Sequence, residues 1–313
     1  MEYTVLGRTG LKVSVAGLGC GGPSRLGLRD NSPETAAIAL VRQAIDRGIN
    51  LLDTAESYGT EEIVGKAITG IARDRIVIST KRPVPARDHS DPAGDLRAGV
   101  EQSLRRLKSD YIDIFHLHGV EPEQYAFGRE TLVPELLKLR QEGKIRFIGI
   151  TEAFGPDPRH QMLERALADG CWDVVMAGFN LLNQSARRAV FPKTIEGNVG
   201  VLVMFVVRRA LSRPERLKQM LNELREKGLV DPVWCGSGKP LEFLMSEGKA
   251  SGFPDAGYRY CRHEPGVHVV LTGTGSPEHL DANIQSILKP PLAEPALEKL
   301  RQIFRLVDCV TGG

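Results

Sequence analysis

Four side chains that suit proton transfer lie at or just after short, strand-like runs of the sequence. They are Asp53, Tyr58, Lys81 and His118, and the runs that lead to them are 50–54, 76–80 and 111–117. If these runs are consecutive parallel strands of a barrel, their carboxyl ends share one face, where the catalytic groups of such barrels lie. A carboxylate, a phenol, an ammonium and an imidazole would then meet in one pocket. That combination suits proton transfer to a carbonyl oxygen.

Each of the four residues also has a purely structural explanation. A buried aspartate–lysine pair, a tyrosine at the start of a helix and a histidine satisfied in the core are common features of folded proteins. For any single residue that explanation is the better one. Because the four occur together on three successive runs, we favour the catalytic interpretation.

Composition excludes several other classes of function. Of 313 residues, 42% are hydrophobic and 26% charged, as in ordinary globular proteins. The net charge of +2 gives no reason to expect nucleic acid or a membrane surface as a partner. Five scattered cysteines without a Cys-x-x-Cys motif predict reduced thiols in the cytoplasm, with no disulfide framework and no metal site. The first residues lack a signal-peptide pattern, and no apolar run is long enough to span a membrane.

Strand-like and helix-like segments alternate along the chain. After a hairpin over residues 3–14, the predicted strands are 15–19, 50–54, 76–81, 111–117, 145–150, 173–179, 200–206 and 267–272. Several are nearly continuous Val, Ile and Leu, which is typical of strands buried on both faces. Eight strand–helix units predict a (β/α)8 TIM barrel that forms one domain over 1–313. The interval 207–266 interrupts the rhythm, and we interpret it as an insertion over the barrel mouth between strands 7 and 8.

Several stretches match the motifs of one family in the right order and spacing. They are YTVLGRTGLKVSVAGLGCGG, GINLLDTAESYG, IVISTK, SLRRLKSDYIDIFHLH, GKIRFIGIT and LTGTGSPEHLDANI. Over essentially its whole length the chain resembles the aldo-keto reductase family. The resemblance implies reduction of a small aldehyde or ketone with NADPH or NADH, with NADPH as the family default. It also implies a cofactor held extended across the carboxyl end of the barrel, without a Rossmann fold.

The resemblance assigns a role to each of the four residues. Tyr58 would donate the proton, and Lys81 would lower the pKa of its phenol from the ordinary value of about 10. Asp53 would keep Lys81 charged and oriented, and His118 would hydrogen-bond the substrate carbonyl. His116 lies on the same side of its strand and competes with His118. The family pattern favours the histidine that precedes the loop, so His116 is expected to be structural.

The resemblance also implies a set of cofactor contacts. These are Thr151, Glu152, Met176, Met204, Arg208, Gly273, Thr274, Gly275, Ser276, His279 and Asn283. The segment from Gly273 to Glu278 joins the eighth strand to a helix, and the exposed amides of a helix N-terminus bind phosphate well. The alternative is a well-made loop with no ligand.

Three positions depart from the family pattern at the nicotinamide end. Thr151-Glu152 replaces Ser-Asn, Met176 replaces a glutamine, and Met204 replaces an aromatic that stacks on the ring. Thr151 keeps a hydroxyl for the contact. Glu152 is expected to bring a carboxylate to the ring, and a methionine packs against a ring without stacking as an aromatic does.

The phosphate end departs as well. Ala282 replaces the glutamate that usually precedes the adenine-contacting Asn283, and Gly275 and His279 leave no cation for a 2′-phosphate. Arg208 and Arg209 are either a clamp for the pyrophosphate or 2′-phosphate, or a solvated pair.

Two other functions remain open at this stage. The altered nicotinamide contacts suit a nucleotide-binding regulatory or sensor protein with little turnover, although such a protein has no chemical need for all four groups. A lyase or hydrolase on the same barrel would need no cofactor.

The sequence does not identify the substrate, because barrel folds host many chemistries. The loops that decide the substrate are 23–31, 120–129 and 207–260.

Overall fold

A computed structural model of the protein describes residues 1–234 and 241–313. Its strands are β1 Tyr3–Val5, β2 Lys12–Ser14, β3 Ala16–Gly19, β4 Leu51–Asp53, β5 Val77–Pro83, β6 Ile112–Val120, β7 Ile145–Glu152, β8 Val174–Gly178, β9 Gly200–Met204 and β10 Val269–Thr272. Strands β1 and β2 form an antiparallel hairpin. Strands β3 to β10 follow one another in parallel and close into a barrel. The predicted eight-stranded parallel barrel with an N-terminal hairpin is therefore confirmed.

Helices connect the strands. They are α1 Glu34–Asp46, α2 Glu61–Ile68, α3 Pro92–Leu107, α4 Pro122–Phe127, α5 Val133–Gln141, α6 Gln161–Asp169, α7 Ala186–Ala189, α8 Phe191–Glu196, α9 Arg209–Ser212, α10 Pro214–Glu226, α11 Phe243–Ser246, α12 Phe253–Arg262, α13 Pro277–Leu288 and α14 Glu294–Ile303. Helix α3 begins at Pro92, where the Asp91 side chain accepts a hydrogen bond from Gly94 N, a cap that satisfies one free amide of the first turn.

Two apolar cores hold the barrel together. The larger lies between the strands and the surrounding helices. The smaller lies inside the barrel, where residues such as Leu51, Val77 and Ile114 meet the hairpin residues Leu6 and Val13. The hairpin thus closes the amino end of the barrel, and the carboxyl end stays available for polar groups.

The interval between β9 and β10 is helical in its described part. It holds α9 to α12, and α12 packs against α13 and β10 beside the barrel. Helix α12 therefore lies on the crossover between the seventh and eighth barrel strands, β9 and β10. Residues 235–240, which include Cys235, lie outside the described residues, and the domain assignment stays a prediction.

No helix among the described residues is long and apolar enough to cross a membrane.

Candidate active site

Strand alternation brings the predicted groups to one end of the barrel. Side chains two residues apart on a strand point to the same face. From the apolar interior residue Leu51 the inward series on β4 reaches Asp53, and from Val77 the series on β5 reaches Lys81. On β6 the same rule leads from Ile114 through His116 to His118. The lower layers of the barrel are apolar, and the upper layers carry the chemistry.

Asp53 and Lys81 form a buried ion pair. Lys81 Nζ donates to both carboxylate oxygens of Asp53 at 2.7 Å and to the carbonyl oxygen of Thr54 at 2.8 Å. Both side chains are almost fully buried. Since the ammonium has three proton donors and the carboxylate accepts in two places, the pair is satisfied internally. The predicted neighbourhood of Asp53 and Lys81 is present in the structure.

Tyr58 and His118 face each other beside this pair. The hydroxyl oxygen of Tyr58 is 3.4 Å from His118 Nε2, and the two rings meet edge to face. Lys81 Nζ lies 5.1 Å from the centroid of the Tyr58 ring. A Cβ atom at Gly21 would stand 2.3 Å from the Tyr58 ring, so a glycine at that position is what lets the ring approach. The structure therefore brings all four groups together.

The pKa of Tyr58 differs from the expected direction. Burial raises the pKa of this phenol above its usual value, and the Lys81 ammonium offsets that rise only in part, while the Asp53 carboxylate adds to it. The phenol is therefore protonated at neutral pH and has a proton to give. The contribution of Lys81 has the predicted sign, but desolvation outweighs it.

His118 is a neutral imidazole. Burial, together with the nearby Lys81 ammonium, lowers the pKa of His118 to about 3. Its Nδ1 is buried and has no hydrogen-bond partner among the described protein atoms. A neutral ring offers one donor and one acceptor, so His118 can orient a carbonyl oxygen near Tyr58 without adding a positive charge to the site.

The lowered pKa of His118 predicts an acid sensitivity of the fold. An unfolded histidine binds a proton below about pH 6.5, whereas folded His118 stays neutral down to about pH 3. The unfolded state therefore binds more protons as the pH falls, and the free energy of unfolding decreases. When the pH falls from about 7 to about 5, the free energy of unfolding should decrease in both proteins. We expect that decrease to be about 2 kcal/mol smaller in His118→Gln than in the wild type.

Urea unfolding at the two pH values measures this difference. His263→Gln is the matched control, because His263 is exposed on the outer surface. An equal loss of stability in wild type and His118→Gln would contradict the assignment of a neutral buried ring.

His116 is deeper in the barrel than His118. It is fully buried, and its Nε2 is 3.1 Å from Ser79 Oγ. A Cβ atom at Gly149 would stand 2.2 Å from His116 Nδ1, so the neighbouring strand makes room for this ring with a glycine. His118 is therefore the histidine nearer the carboxyl end of the barrel, and its role toward a substrate stays a prediction.

Glu152 does not present its carboxylate to the barrel mouth. Its side chain is fully buried, and its two oxygens lie 3.0 and 2.8 Å from His160 Nδ1. One oxygen also accepts from Gly178 N at 2.7 Å. The expectation of a carboxylate facing a nicotinamide ring is corrected on this point, because both oxygens are engaged inside the protein. Sequence reasoning missed His160, which lies eight residues further on in a loop.

The other nicotinamide-end positions are placed as follows. Thr151 Oγ1 accepts a hydrogen bond from Gly119 N at 2.7 Å, which connects β7 to the carboxyl end of β6. Met176 is buried inside the barrel, and Met204 is partly buried against the same interior cluster. The residue after Met204 was missed: Phe205 adopts a left-handed backbone with φ of 64° and stacks on Phe154.

The loop after β10 has the geometry predicted for a helix N-terminus. Ser276 caps α13, since its Oγ accepts from His279 N at 3.2 Å, and Thr274 Oγ1 accepts from Ser276 N at 3.1 Å. Gly273 is exposed. A Cβ at Gly275 would stand 2.5 Å from Gly27 Cα, so the loop 23–31 packs directly on this turn.

Asn283 is held toward the barrel. Its Nδ2 donates to Thr272 Oγ1 at 2.9 Å, and that hydroxyl also lies 2.9 Å from the hydroxyl of Tyr258. The amide is partly buried on the first turns of α13. The role of Asn283 toward an adenine stays a prediction.

Arg208 and Arg209 differ in their surroundings. The Arg208 guanidinium is partly buried, lies 4.3 Å from the centroid of the Phe205 ring and donates to Thr311 Oγ1 at 3.3 Å. Burial and the neighbouring Arg209 lower the pKa of Arg208 from its usual value. Arg209 is exposed at the start of α9. In the described part of the chain Arg208 makes no ion pair with a carboxylate, which leaves a desolvated cation near the barrel mouth.

Comparison with known proteins gives a consistent result. The model of the aldo/keto reductase family matches residues 17–304. L-galactose dehydrogenase from Arabidopsis thaliana is 34% identical over 321 residues, covering 99% of this chain and 95% of that protein. The chain is thus similar to an oxidoreductase over essentially its full length.

Solved structures agree with the sequence comparison. The holo form of an aldo-keto reductase from Bacillus halodurans superposes with a TM-score of 0.71 at 26% identity, covering 99% of this chain and 98% of that chain. An aldo/keto reductase from Klebsiella pneumoniae in complex with NADP and acetate has the same fold, with a TM-score of 0.68 at 23% identity and coverage of 97% and 96%. Since the family model spans most of the sequence, the chain belongs to the aldo/keto reductase family.

Proposed function

We propose that this protein reduces an aldehyde or a ketone to an alcohol with NADPH or NADH as the hydride donor. The observation that carries the proposal is the position of Tyr58. Its hydroxyl lies 3.4 Å from Nε2 of the neutral His118, and its ring centroid lies 5.1 Å from Nζ of Lys81 in the buried pair with Asp53. A protonated phenol beside a fixed cation is suited to give its proton and to be stabilised afterwards as a phenolate.

Each residue has one task in this proposal. A bound reduced nicotinamide would supply the hydride for the carbonyl carbon. Tyr58 donates its hydroxyl proton to the carbonyl oxygen, and His118 Nε2 orients that oxygen by a hydrogen bond. Lys81 stabilises the negative charge that develops on the Tyr58 oxygen, and Asp53 holds Lys81 in place.

The described residues fit a dinucleotide with phosphate groups. The capped N-terminus of α13 follows an exposed glycine loop, and Arg208 offers a partly buried cation without a carboxylate partner among the described residues. Amides at a helix N-terminus and a desolvated guanidinium are both good phosphate ligands. We propose the cofactor contacts Thr151, Met204, Arg208, Gly273 to Ser276, His279 and Asn283, with Met176 below them and Glu152 acting through His160 and Gly178.

A cytoplasmic location stays part of the proposal. It is supported by the use of cysteine, because the described cysteines are free and two of them, Cys20 and Cys261, are buried.

Reduction of a panel of aldehydes and ketones tests the proposal directly. The panel includes hydroxyaldehydes and sugars, because the similar Arabidopsis protein is an L-galactose dehydrogenase. The absorbance of the reduced nicotinamide is recorded over time with each substrate. Its decrease reports oxidation of the cofactor and therefore the rate of turnover. Tight nucleotide binding with no turnover on any substrate would favour the regulatory or sensor alternative, and no nucleotide binding would favour a cofactor-free barrel enzyme.

The two arginines give a prediction about the cofactor tail. If Arg208 meets the pyrophosphate, Arg208→Ala weakens NADPH and NADH by similar factors, because both carry that group. If either arginine meets the 2′-phosphate, its alanine variant weakens NADPH more than NADH. A charge-assisted contact of this kind corresponds to roughly tenfold or more in dissociation constant.

NADPH and NADH are each titrated into Arg208→Ala, Arg209→Ala and the wild type. The result is four ratios of variant to wild-type dissociation constant, one for each nucleotide with each variant. Arg209→Ala removes the same side chain from an exposed position, so the comparison shows which of the two guanidinium groups meets the cofactor. No change for either nucleotide in either variant would mean that the arginines do not contact the cofactor.

A further inference from the structure

A second buried histidine is connected to the candidate catalytic pair. His116 Nε2 is 3.1 Å from Ser79 Oγ, and Ser79 Oγ is 2.8 Å from Asp53 Oδ1. All three side chains are almost fully buried. The same Asp53 oxygen receives a hydrogen bond from Lys81 Nζ at 2.7 Å. A continuous chain of hydrogen bonds thus runs from His116 through a hydroxyl to the carboxylate that holds the lysine.

The direction of this chain follows from the chemistry of its members. A carboxylate paired with an ammonium accepts hydrogen bonds and does not donate them, so the Ser79 hydroxyl must donate its proton to Asp53. Its oxygen is then free to accept, and the group that faces it is His116 Nε2. The imidazole therefore carries its proton on Nε2, and its Nδ1 is an unprotonated acceptor.

The Nδ1 atom of His116 has no hydrogen-bond partner among the described protein atoms. A buried polar atom without a partner costs free energy, and such atoms are rare. An apolar side chain of similar size would fill the same space without that cost. Gly149 on the neighbouring strand also makes room for the ring, since a Cβ there would stand 2.2 Å from Nδ1. A histidine at this position is nevertheless useful if the hydrogen bond that its Nε2 donates to Ser79 supports the candidate active site.

We propose that His116 and Ser79 are positioning residues, which act through Asp53 to hold Lys81 and thereby set the acidity of Tyr58. The inference rests on the reductase function proposed above, because it assigns the acid role to Tyr58. Hydrogen bonds to a carboxylate stabilise its charged form and restrict its orientation. A fixed Asp53 in turn fixes the ammonium next to the phenol.

The network and the groups that face it come from three strands, β4, β5 and β6, and from the segments that follow β3 and β4. Around Asp53 and Lys81 they are Cys20 after β3, Tyr58 after β4, and His116 and His118 on β6. Loss of the His116 donor frees the Ser79 hydroxyl from its fixed orientation, and loss of Ser79 removes the donor to Asp53. Either change leaves the negative charge of Asp53 less compensated and Lys81 less well held. Both effects favour the protonated phenol and therefore raise the pKa of Tyr58.

A matched pair of variants tests the proposal. His116→Gln places an amide nitrogen at the same number of bonds from Cα as Nε2 and keeps a donor, whereas His116→Met has the same length and no donor. Ser79→Ala removes the next link. We expect the single-turnover rate of carbonyl reduction to fall about tenfold in His116→Met and in Ser79→Ala, and to stay within about twofold of wild type in His116→Gln. The double variant should fall no further than either single one, because both remove the same chain.

A second readout does not need turnover. The alkaline titration of Tyr58, followed by NMR of its labelled ring and assigned with Tyr58→Phe, should move to higher pH in His116→Met and return toward wild type in His116→Gln. Melting temperatures show whether each variant is folded, and cofactor dissociation constants are expected to stay unchanged. If wild type reduces no carbonyl, the proposed function fails and the titration alone decides the inference. An unmoved Tyr58 titration in His116→Met, or an equal change in the Gln and Met variants, overturns the positioning role.

Discussion

Tyr58→Phe is expected to reduce the rate of carbonyl reduction by about two to four orders of magnitude, the range for a positioned general acid. The variant removes one oxygen atom and the proton that it carries. The aromatic ring remains and still packs against Gly21, so the packing changes little. Because the burial of Tyr58 keeps its phenol protonated at neutral pH, the wild-type proton is available throughout the physiological range.

The measurement is a single-turnover experiment, which separates the chemical step from cofactor release. Tyr3→Phe is the matched control, since it removes the same atom from the hairpin, where the hydroxyl only donates to the carbonyl oxygen of Gly48. Cofactor dissociation constants should be unchanged in both variants. If Tyr58→Phe kept more than half of the wild-type rate with chemistry as the slow step, another group would have to supply the proton.

The barrel could be predicted because its signals are repeated. Eight apolar runs recur at regular intervals, and each is bounded by helical or turn residues, so an error at one run leaves the overall count intact. The boundaries were close at most elements, and β6 extends to Val120, three residues beyond its predicted end. No helical segment was predicted at α2, α4, α7, α8, α9, α11 or α14. Helix α2 is short and contains Gly65, and a short segment carries little periodic signal.

The position of the candidate catalytic cluster was predictable for a geometric reason. Asp53, Lys81 and His118 lie on strands, and the alternation of a strand fixes which face a side chain occupies. A residue at the carboxyl end of its strand then lies at the carboxyl end of the barrel. Sequence therefore predicts position when a residue lies on a regular element of known direction.

The environment of Glu152 was not predictable in the same way. Its partner His160 lies in the loop before α6 with a left-handed backbone, and Ser185, 2.9 Å from His160 Nε2, comes from a third segment. Such contacts depend on how loops fold back, which no periodicity records. The net direction of the Tyr58 pKa was missed for a related reason, since it depends on the extent of burial and not only on which charges are close.

Lys81→Met is expected to damage both stability and turnover. The variant leaves the Asp53 carboxylate, which is 4% exposed, without its counter-charge. Breaking a buried pair by removing one partner costs about 3 to 5 kcal/mol in the free energy of unfolding. The rate of reduction should fall by about two orders of magnitude or more, because no cation remains to stabilise the oxygen of Tyr58 as it loses its proton.

The double variant Asp53→Asn/Lys81→Met separates these two effects. A neutral amide beside a neutral methionine leaves no unpaired buried charge, so most of the lost stability should return, whereas the rate should not recover. Urea unfolding and single-turnover kinetics on both variants measure the two quantities. Lys66→Met is the control, because Lys66 pairs with Glu34 in an exposed position and its loss should leave stability and rate almost unchanged. If the double variant regained the wild-type rate together with its stability, Lys81 would act only in holding the fold, and the stabilisation of Tyr58 would have to come from another group.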